Sequence, residues 1–435
     1  MVFRKSKSGR VLETLAQYES PNILWVDPEG GWPIVWERAK GANVWDAEGR
    51  KYLDLTSAFG VAAAGHANPR VIAAGQKQMA KLTHAMGDVH PHAGKAELAR
   101  ELSRITFERW PGEQTGKSIF CSSGFEAVEA ALKTAYLATK KRGVIAFTGG
   151  YHGLGYGALN TTHREHFRRP FQAQLGGFGH FVTFPSAPAQ LRGLEREIRR
   201  LLRTERVGAI LAEPIQARGG IQIPPDGFLR LLRKVCDDSR ILLILDEIYT
   251  GFGRTGRWFA CEHESVAPDL ICLGKALAGG FPLSACVGRS DIIDRAWPPS
   301  TGEAIHTSTF LGHPVGCAMA LAQIREVRRQ RLPERSAAEG KWLKEELRLE
   351  FRWPGGTAEL RGRGLMVGVE LRDKAGKPDT AGCLKIIKEM LRRGFILLPE
   401  GEAANVISMT PPLTIRRGQV KAAARALTAT ALGSA

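Results

Sequence analysis

Six short apolar runs recur through the middle of this chain: KSIFCSS (117–123), GVIAFTG (143–149), VGAILAEP (207–214), RILLILDEI (240–248), DLICLG (269–274) and LSACVG (283–288). Each is apolar on both faces, the signature of a strand whose sheet is covered by helices on both sides. Residues 61–320 are therefore expected to form one α/β domain around a largely parallel sheet. Beyond it the pattern changes. A charged helix is expected over 315–350, broken at Pro333, then a strand (364–371), a helix (381–393), short strands within 395–415 and a last helix (418–432). These make a smaller α/β domain, 321–435, to which residues 1–60 are expected to contribute. A chain of 435 residues is long enough for both.

The net charge of +17 raises the question of a nucleic-acid partner. Its basic residues, however, are spread along helix-like stretches such as LEREIRRLLRTER (194–206) and QIREVRRQRLPER (323–335), interleaved with acids, as on solvated helix faces. No nucleic-acid partner is expected, but the charge should favour anionic substrates. No apolar run approaches the ~18 residues of a membrane span, and the basic start, MVFRKSKSGR, has no apolar segment behind it. The expectation is a cytoplasmic protein that neither spans nor binds a membrane. The seven cysteines include no C-x-x-C pair and several sit in apolar runs, so neither disulfides nor a metal site is expected.

The chemistry concentrates where two of these runs end. LILDEIYTGFGRTG (243–256) passes from an apolar strand into Asp246 and Glu247, and the next run ends in CLGKALAGGFP, with Lys275 between Gly274 and a turn of small residues. An acid at a strand end can simply cap a turn, and a lysine in a loop can snorkel to water. Taken together, the two groups fit one chemical need. Pyridoxal 5'-phosphate requires a lysine amine for its Schiff-base link and an acid facing its pyridine nitrogen. An acid there keeps the ring nitrogen protonated and the ring electron-withdrawing, and the lysine, once displaced, can carry protons. A phosphate site should accompany the ring. CSSGFEAVEAALKTAYLATKK (121–141) offers one, because Ser123 and Glu126 have capping-box spacing and the amides of Gly124 and Phe125 would point at an anion from the positive end of the helix. Alone, that signal is common and non-specific.

EPIQ (213–216), DEIYTGFGRTG (246–256), GKALAGGFP (274–282) and TSTFLGHP (307–314), in this order, resemble the class III pyridoxal-phosphate aminotransferases, over about residues 30–425. The resemblance implies fold type I. It also implies a homodimer with shared active sites and amino transfer from an amine or ω-amino acid to a 2-oxo acid, pyruvate or 2-oxoglutarate, by a ping-pong route. Mutases, decarboxylases and amino-phospho-lyases of the same class are the alternative. Carried over to this chain, Lys275 is the Schiff-base lysine and Asp246 the partner of the pyridine nitrogen, with His152 the candidate partner of Asp246. Gly124 and Phe125 are assigned to the phosphate, Tyr151 and Ile248 to the two ring faces, and Thr309 to the phosphate of the other protomer. Tyr151 also reads as a loop aromatic, Ile248 as core, Thr309 as a turn residue, and Glu247 as structural.

Departures bear on the substrate. Tyr249 stands where many relatives carry Gln, so its cofactor contact is open. Leu154 and Ser408 stand where relatives that take amino acids with a distal amine carry arginine, which leaves Glu213 without its usual partner. Phe59 stands where a smaller residue lines the pocket. Loop arginines, Arg164, Arg168, Arg169 and Arg218, are candidates to receive the keto acid's carboxylate.

Overall fold

The computed structural model describes residues 6–28, 30–110, 112 and 114–433. Residues 1–5 and Glu29 of the segment assigned above to the smaller domain, and residues 434–435, lie outside that description. Seven strands form the central sheet, in the order Gly116–Cys121, Ser284–Arg289, Leu270–Leu273, Leu242–Asp246, Val207–Ala212, Gly143–Phe147 and Gly179–Val182. The five from Leu270–Leu273 to Gly179–Val182 pair in parallel, while Ser284–Arg289 runs antiparallel to both its neighbours. Every residue of Leu242–Asp246 and Val207–Ala212 is buried, which is why these strands read as unbroken apolar runs. Helices such as Gly124–Thr139 and Phe228–Ser239 cover the sheet with alanine, leucine and valine. Fully burying a leucine or valine side chain contributes roughly 1.5–3 kcal/mol.

Two four-stranded sheets complete the molecule. Trp36–Lys40, Asn43–Asp46 and Lys51–Asp54 form a meander whose last strand pairs in parallel with Phe395–Ile396. Gly356–Arg363, Met366–Asp373, Val406–Met409 and Leu398–Glu400 form the other, all antiparallel. The two ends of the chain therefore share one sheet. Arg254, fully buried, joins the turn after Asp246 to both ends: its Nη1 donates to the carbonyls of Leu365 (2.9 Å) and Pro411 (2.6 Å), and its Nη2 to Ser57 Oγ (3.2 Å).

Three elements differ from the sequence expectation. Gly179–Val182 gave no signal because it is a four-residue edge strand that is mostly half-buried. Gly356–Arg363 was missed for a similar reason, having no fully buried residue. The long charged helix is two helices, Pro314–Arg329 and Leu332–Glu350, and the break is not at Pro333. It falls at Arg331, whose φ of +49° is left-handed; Pro333 sits in the first turn of the second helix, where a missing N–H costs nothing.

Candidate active site

Asp246 closes its strand, Lys275 stands two residues beyond Leu270–Leu273, Glu213 follows Val207–Ala212, and Tyr151 lies in the loop after Gly143–Phe147. Because these strands are parallel, all four side chains arrive at the same edge of the sheet, where they line a cavity of about 420 Å³. Asp246 is buried and held at both oxygens: Oδ2 lies 2.8 Å from His152 Nδ1, and Oδ1 accepts the N–H of Ile248 at 3.1 Å. His152, also buried, is itself fixed by its backbone N–H donating to Thr162 Oγ1 at 2.9 Å. Glu247 points elsewhere. It accepts from Thr250 Oγ1 and from the N–H groups of Ala260 (2.9 Å) and Cys261 (2.8 Å), tying the glycine-rich turn to the segment that follows it.

Burial pushes the Lys275 amine below the usual lysine value, against the pull of Asp246 and Glu213. Its Nζ stands 4.6 Å from the centroid of the Tyr249 ring. The φ of Lys275 is +39°, a conformation that costs a non-glycine residue ~1–2 kcal/mol and that concentrates at functional sites. Tyr249 lies beneath it, with its hydroxyl 3.1 Å from Thr410 Oγ1 and pushed up to about 12 by burial.

The helix Gly124–Thr139 opens onto the same cavity. Glu126 Oε2 accepts the N–H groups of Ser122 (3.0 Å) and Ser123 (2.7 Å), the reach-back half of the capping box, and the first-turn amides of Gly124 and Phe125 have no intrahelical acceptor. Two glycines shape the approach. A Cβ on Gly124 would lie 3.1 Å from Ile248 Cδ1, so Ile248 reaches the cavity only past a bare backbone. A Cβ on Gly153 (φ +109°) would lie 2.3 Å from Phe125 Cβ, so only glycine lets the loop bearing Tyr151 and Leu154 fold over the helix start.

Glu213 has no arginine partner among the described residues. It accepts the N–H of Tyr151 at 3.0 Å and of Ala217 at 3.1 Å, and burial raises its carboxyl to about 7. Tyr151 packs edge-on against Phe167 at 5.7 Å, and Leu154 stands half exposed on the cavity wall. Of the loop arginines, Arg218 lines the cavity and Arg164 sits beside it, whereas Arg168 stacks on Phe181 (4.7 Å) and Arg169 is exposed.

Three residues from the sequence reading are not brought to this cavity. Phe59 lines a neighbouring groove with Trp32 and Trp36, separated from Lys275 by Tyr249, which lies 2.9 Å from where a Cβ on Gly60 would stand. Ser408 is buried within Val406–Met409, paired between Gly368 and Leu398. Thr309 is exposed, outside the lining. Two residues were missed: Thr410, which holds Tyr249, and Glu400, 3.7 Å from Arg218. Glu400 carried a readable signal, since it ends the apolar stretch FILLP as Asp246 ends its own.

A buried lysine lowered toward its neutral form, a carboxylate locked by histidine, and open helix-start amides within one cavity are the donor set that pyridoxal phosphate requires. The residues present fit that group. No helix among the described residues is long and apolar enough to cross a membrane.

Comparison with known proteins agrees. The chain is 37% identical over 400 residues to the 5-aminovalerate aminotransferase of Pseudomonas aeruginosa, covering 89% of this chain and 91% of that one. It is 37% identical over 422 residues to the putrescine aminotransferase of Pectobacterium atrosepticum, covering 94% and 86%. Among solved structures it resembles an amine transaminase from an uncultivated Pseudomonas species in its PLP-bound form, with a TM-score of 0.87, 29% identity, and coverage of 96% and 99%. An (S)-enantioselective omega-transaminase from Thermomicrobium roseum matches at a TM-score of 0.87 and 29% identity, with 98% of each chain covered. The profile of the family described as aminotransferase class-III matches residues 26–431, nearly the whole of the fold just described, and the chain therefore belongs to the class III aminotransferases, pyridoxal-phosphate-dependent enzymes of fold type I.

Proposed function

We propose that this aminotransferase moves an amino group from a primary amine or ω-amino acid to a 2-oxo acid, pyruvate or 2-oxoglutarate, in two alternating half-reactions at the Lys275 cavity. The observation that carries the reading is the convergence of Lys275 and the His152-fixed Asp246 on one cavity. Relatives that act on 5-aminovalerate and putrescine support an ω-amine donor.

Pyridoxal phosphate, when bound, supplies a carbonyl carbon that condenses with amines and a ring that accepts electrons. The chain's part is to bind, orient and move protons. Lys275, depressed by burial, is more readily neutral than an exposed lysine and acts as nucleophile and then as proton carrier, work typically worth ~10²–10⁴ in rate. Asp246, immobilised by His152 and the Ile248 N–H, offers a fixed negative charge to the ring nitrogen. Gly124 and Phe125 hold the phosphate at the helix start, and Tyr151 and Ile248 flank the ring. Thr309 reaches the phosphate of a second copy in a homodimer. Residues 61–320 form the cofactor domain and 321–435 with 1–60 the smaller one, in a cytoplasmic enzyme.

Leu154 on the wall, and a Glu213 occupied by two backbone N–H groups, favour donors without a distal carboxylate. The test is a panel of amines with pyruvate and with 2-oxoglutarate, following both products. Parallel double-reciprocal lines and faster turnover of an uncharged primary amine than of 4-aminobutyrate are expected. Product formation without consumption of a 2-oxo acid would overturn transamination in favour of a lyase or mutase.

A further inference from the structure

The turn that carries Arg218 is fixed in its backbone and slack in its side chain. Arg164 Nη2 and the N–H of Gly401 both donate to the Arg218 carbonyl, at 2.9 Å and 3.2 Å. Arg361 donates to the carbonyls of Gly220 (2.7 Å) and Ile221 (3.0 Å) while its Nη1 holds Glu370 at 2.7 Å. By contrast, the Arg218 guanidinium donates no hydrogen bond among the described residues, and its Nε is buried without an acceptor. It leans over the Tyr151 ring at 5.4 Å and stands 3.7 Å from Glu400 Oε2.

Two other buried carboxylates are gripped closely, Asp269 by Arg233 (2.9 Å) and Arg289 (3.0 Å), and Glu370 by Arg361 and Arg372 (2.7 Å each), while Glu264, whose pair with the Arg230 guanidinium is as long at 3.7 Å, also accepts the Arg230 N–H at 3.2 Å. Glu400 is equally buried, at 4% exposure, yet its ion pair is a long one without a hydrogen bond. Glu400 is desolvated while the Arg218 side chain stays 34% exposed, so at such a distance the pair returns little of the attraction that would offset the burial of the carboxylate. The arrangement leaves a guanidinium fork on the cavity wall with its donors uncommitted, the geometry that receives a carboxylate in two parallel hydrogen bonds.

Resting on the reading of the Lys275 cavity as the active site, we propose that Arg218 anchors the carboxylate of the 2-oxo acid and that Glu400 is its internal stand-in. The ion pair with Glu400 closes when the amine donor occupies the cavity and opens when the acceptor's carboxylate arrives. One arginine thereby serves both half-reactions: it offers the acid a partner and leaves no unpaired cation beside an uncharged donor. Glu400 is a positioning residue, acting through Arg218.

The test compares holoenzyme with Arg218→Met, Arg218→Lys and Glu400→Gln. Two acceptors are used, pyruvate and butanal, which has no carboxylate, and propionate serves as an unreactive carboxylate whose binding is titrated directly. Charge-assisted hydrogen bonds of this kind correspond to roughly 10- to 100-fold in affinity. Arg218→Met should lower the pyruvate-to-butanal ratio of kcat/KM by that factor and weaken propionate equally, with Arg218→Lys restoring part of both. Glu400→Gln should shift the ratio toward pyruvate and tighten propionate. If Arg218→Met depresses both acceptors alike, or leaves propionate binding unchanged, the anchor is refuted. If Glu400→Gln does not tighten propionate, its stand-in role is. A wild-type enzyme that transfers no amino group would sink the functional reading, while the propionate titration would still decide the fate of the anchor.

Discussion

His152 Nδ1 and Asp246 Oδ2 lie 2.8 Å apart, both side chains buried. The histidine occupies one carboxylate oxygen and the Ile248 N–H the other, so the acid cannot turn. Asp246→Asn preserves the shape but not the charge. It should keep the folded circular dichroism spectrum and lose about 10²-fold or more in kcat, the scale seen when a preorganised electrostatic group is removed. His152→Ala leaves Asp246 Oδ2 without this partner and should lower stability by roughly 1–3 kcal/mol, read from denaturant unfolding. Near wild-type turnover in Asp246→Asn would falsify the charge argument.

Borohydride reduction of the holoenzyme should fix the cofactor to Lys275, found by peptide mapping. Lys275→Ala should abolish turnover without lowering the melting temperature, because removing a buried amine that burial already disfavours in its charged form relieves desolvation. Lys275→Gly should melt higher than Lys275→Ala, since at φ +39° glycine escapes the left-handed penalty. Label on a different lysine refutes the assignment.

Two glycine substitutions should behave oppositely. Gly153→Ala places a Cβ 2.3 Å from Phe125 Cβ at a φ of +109°, so the loop over the helix start must move. A destabilisation of roughly 1–3 kcal/mol and weaker cofactor retention are expected. Gly193→Ala meets nothing within 4 Å inside the helix Leu191–Thr204 and should stabilise by up to about 1 kcal/mol. Unfolding curves and cofactor titrations of both variants check the contrast, and equal behaviour would remove the steric argument.

The central strands were legible because both faces of each are buried, and Asp246 and Lys275 stood out as charges ending such strands. Edge strands such as Gly179–Val182 and Gly356–Arg363 were not, since half-exposed residues carry no unbroken apolar run. Local spacing also gave the Ser123–Glu126 cap. What local spacing could not give was any contact closed across the whole chain. Tyr249 meets Thr410 across 161 positions, and Arg218 meets Glu400 only because the smaller antiparallel sheet folds back against the 217–221 turn. Phe59 illustrates the limit from the other side: its motif is adjacent to the site, yet a positive φ of +61° turns it into the next groove.

Acid should weaken the fold through His263. Its Nε2 is 3.1 Å from both the carbonyl oxygen and Oγ1 of Thr255, and burial lowers it from 6.5 to about 4. In the unfolded chain this histidine takes a proton near 6.5, whereas the folded form resists until about 4. The unfolded state therefore binds more protons across that window, and stability falls as pH drops through it. His263→Gln should flatten that part of the stability profile, measured by unfolding at pH values across the window. An unchanged slope would assign the acid sensitivity elsewhere.

Thr309 is exposed and outside the lining of its own Lys275 cavity, so its proposed contact with the cofactor is expected from a neighbouring copy. Its surroundings suit an interface. Phe310, Met86 and Val89 are all more than half exposed, and Thr307 Oγ1 donates to Asp88 Oδ2 at 2.6 Å, binding the two segments into one apolar patch. Mixed dimers decide the question. When a Lys275→Ala subunit pairs with a Thr309→Ala subunit, a threonine acting across the interface puts both defects in one site and leaves the other intact. The functional half should then hold its cofactor as tightly as wild type. If Thr309 acts within its own subunit, the site that keeps Lys275 also lacks Thr309, and it must lose cofactor as readily as the Thr309→Ala homodimer. Cofactor dissociation followed by absorbance in purified heterodimers separates the two, and the second outcome would remove Thr309 from the shared site.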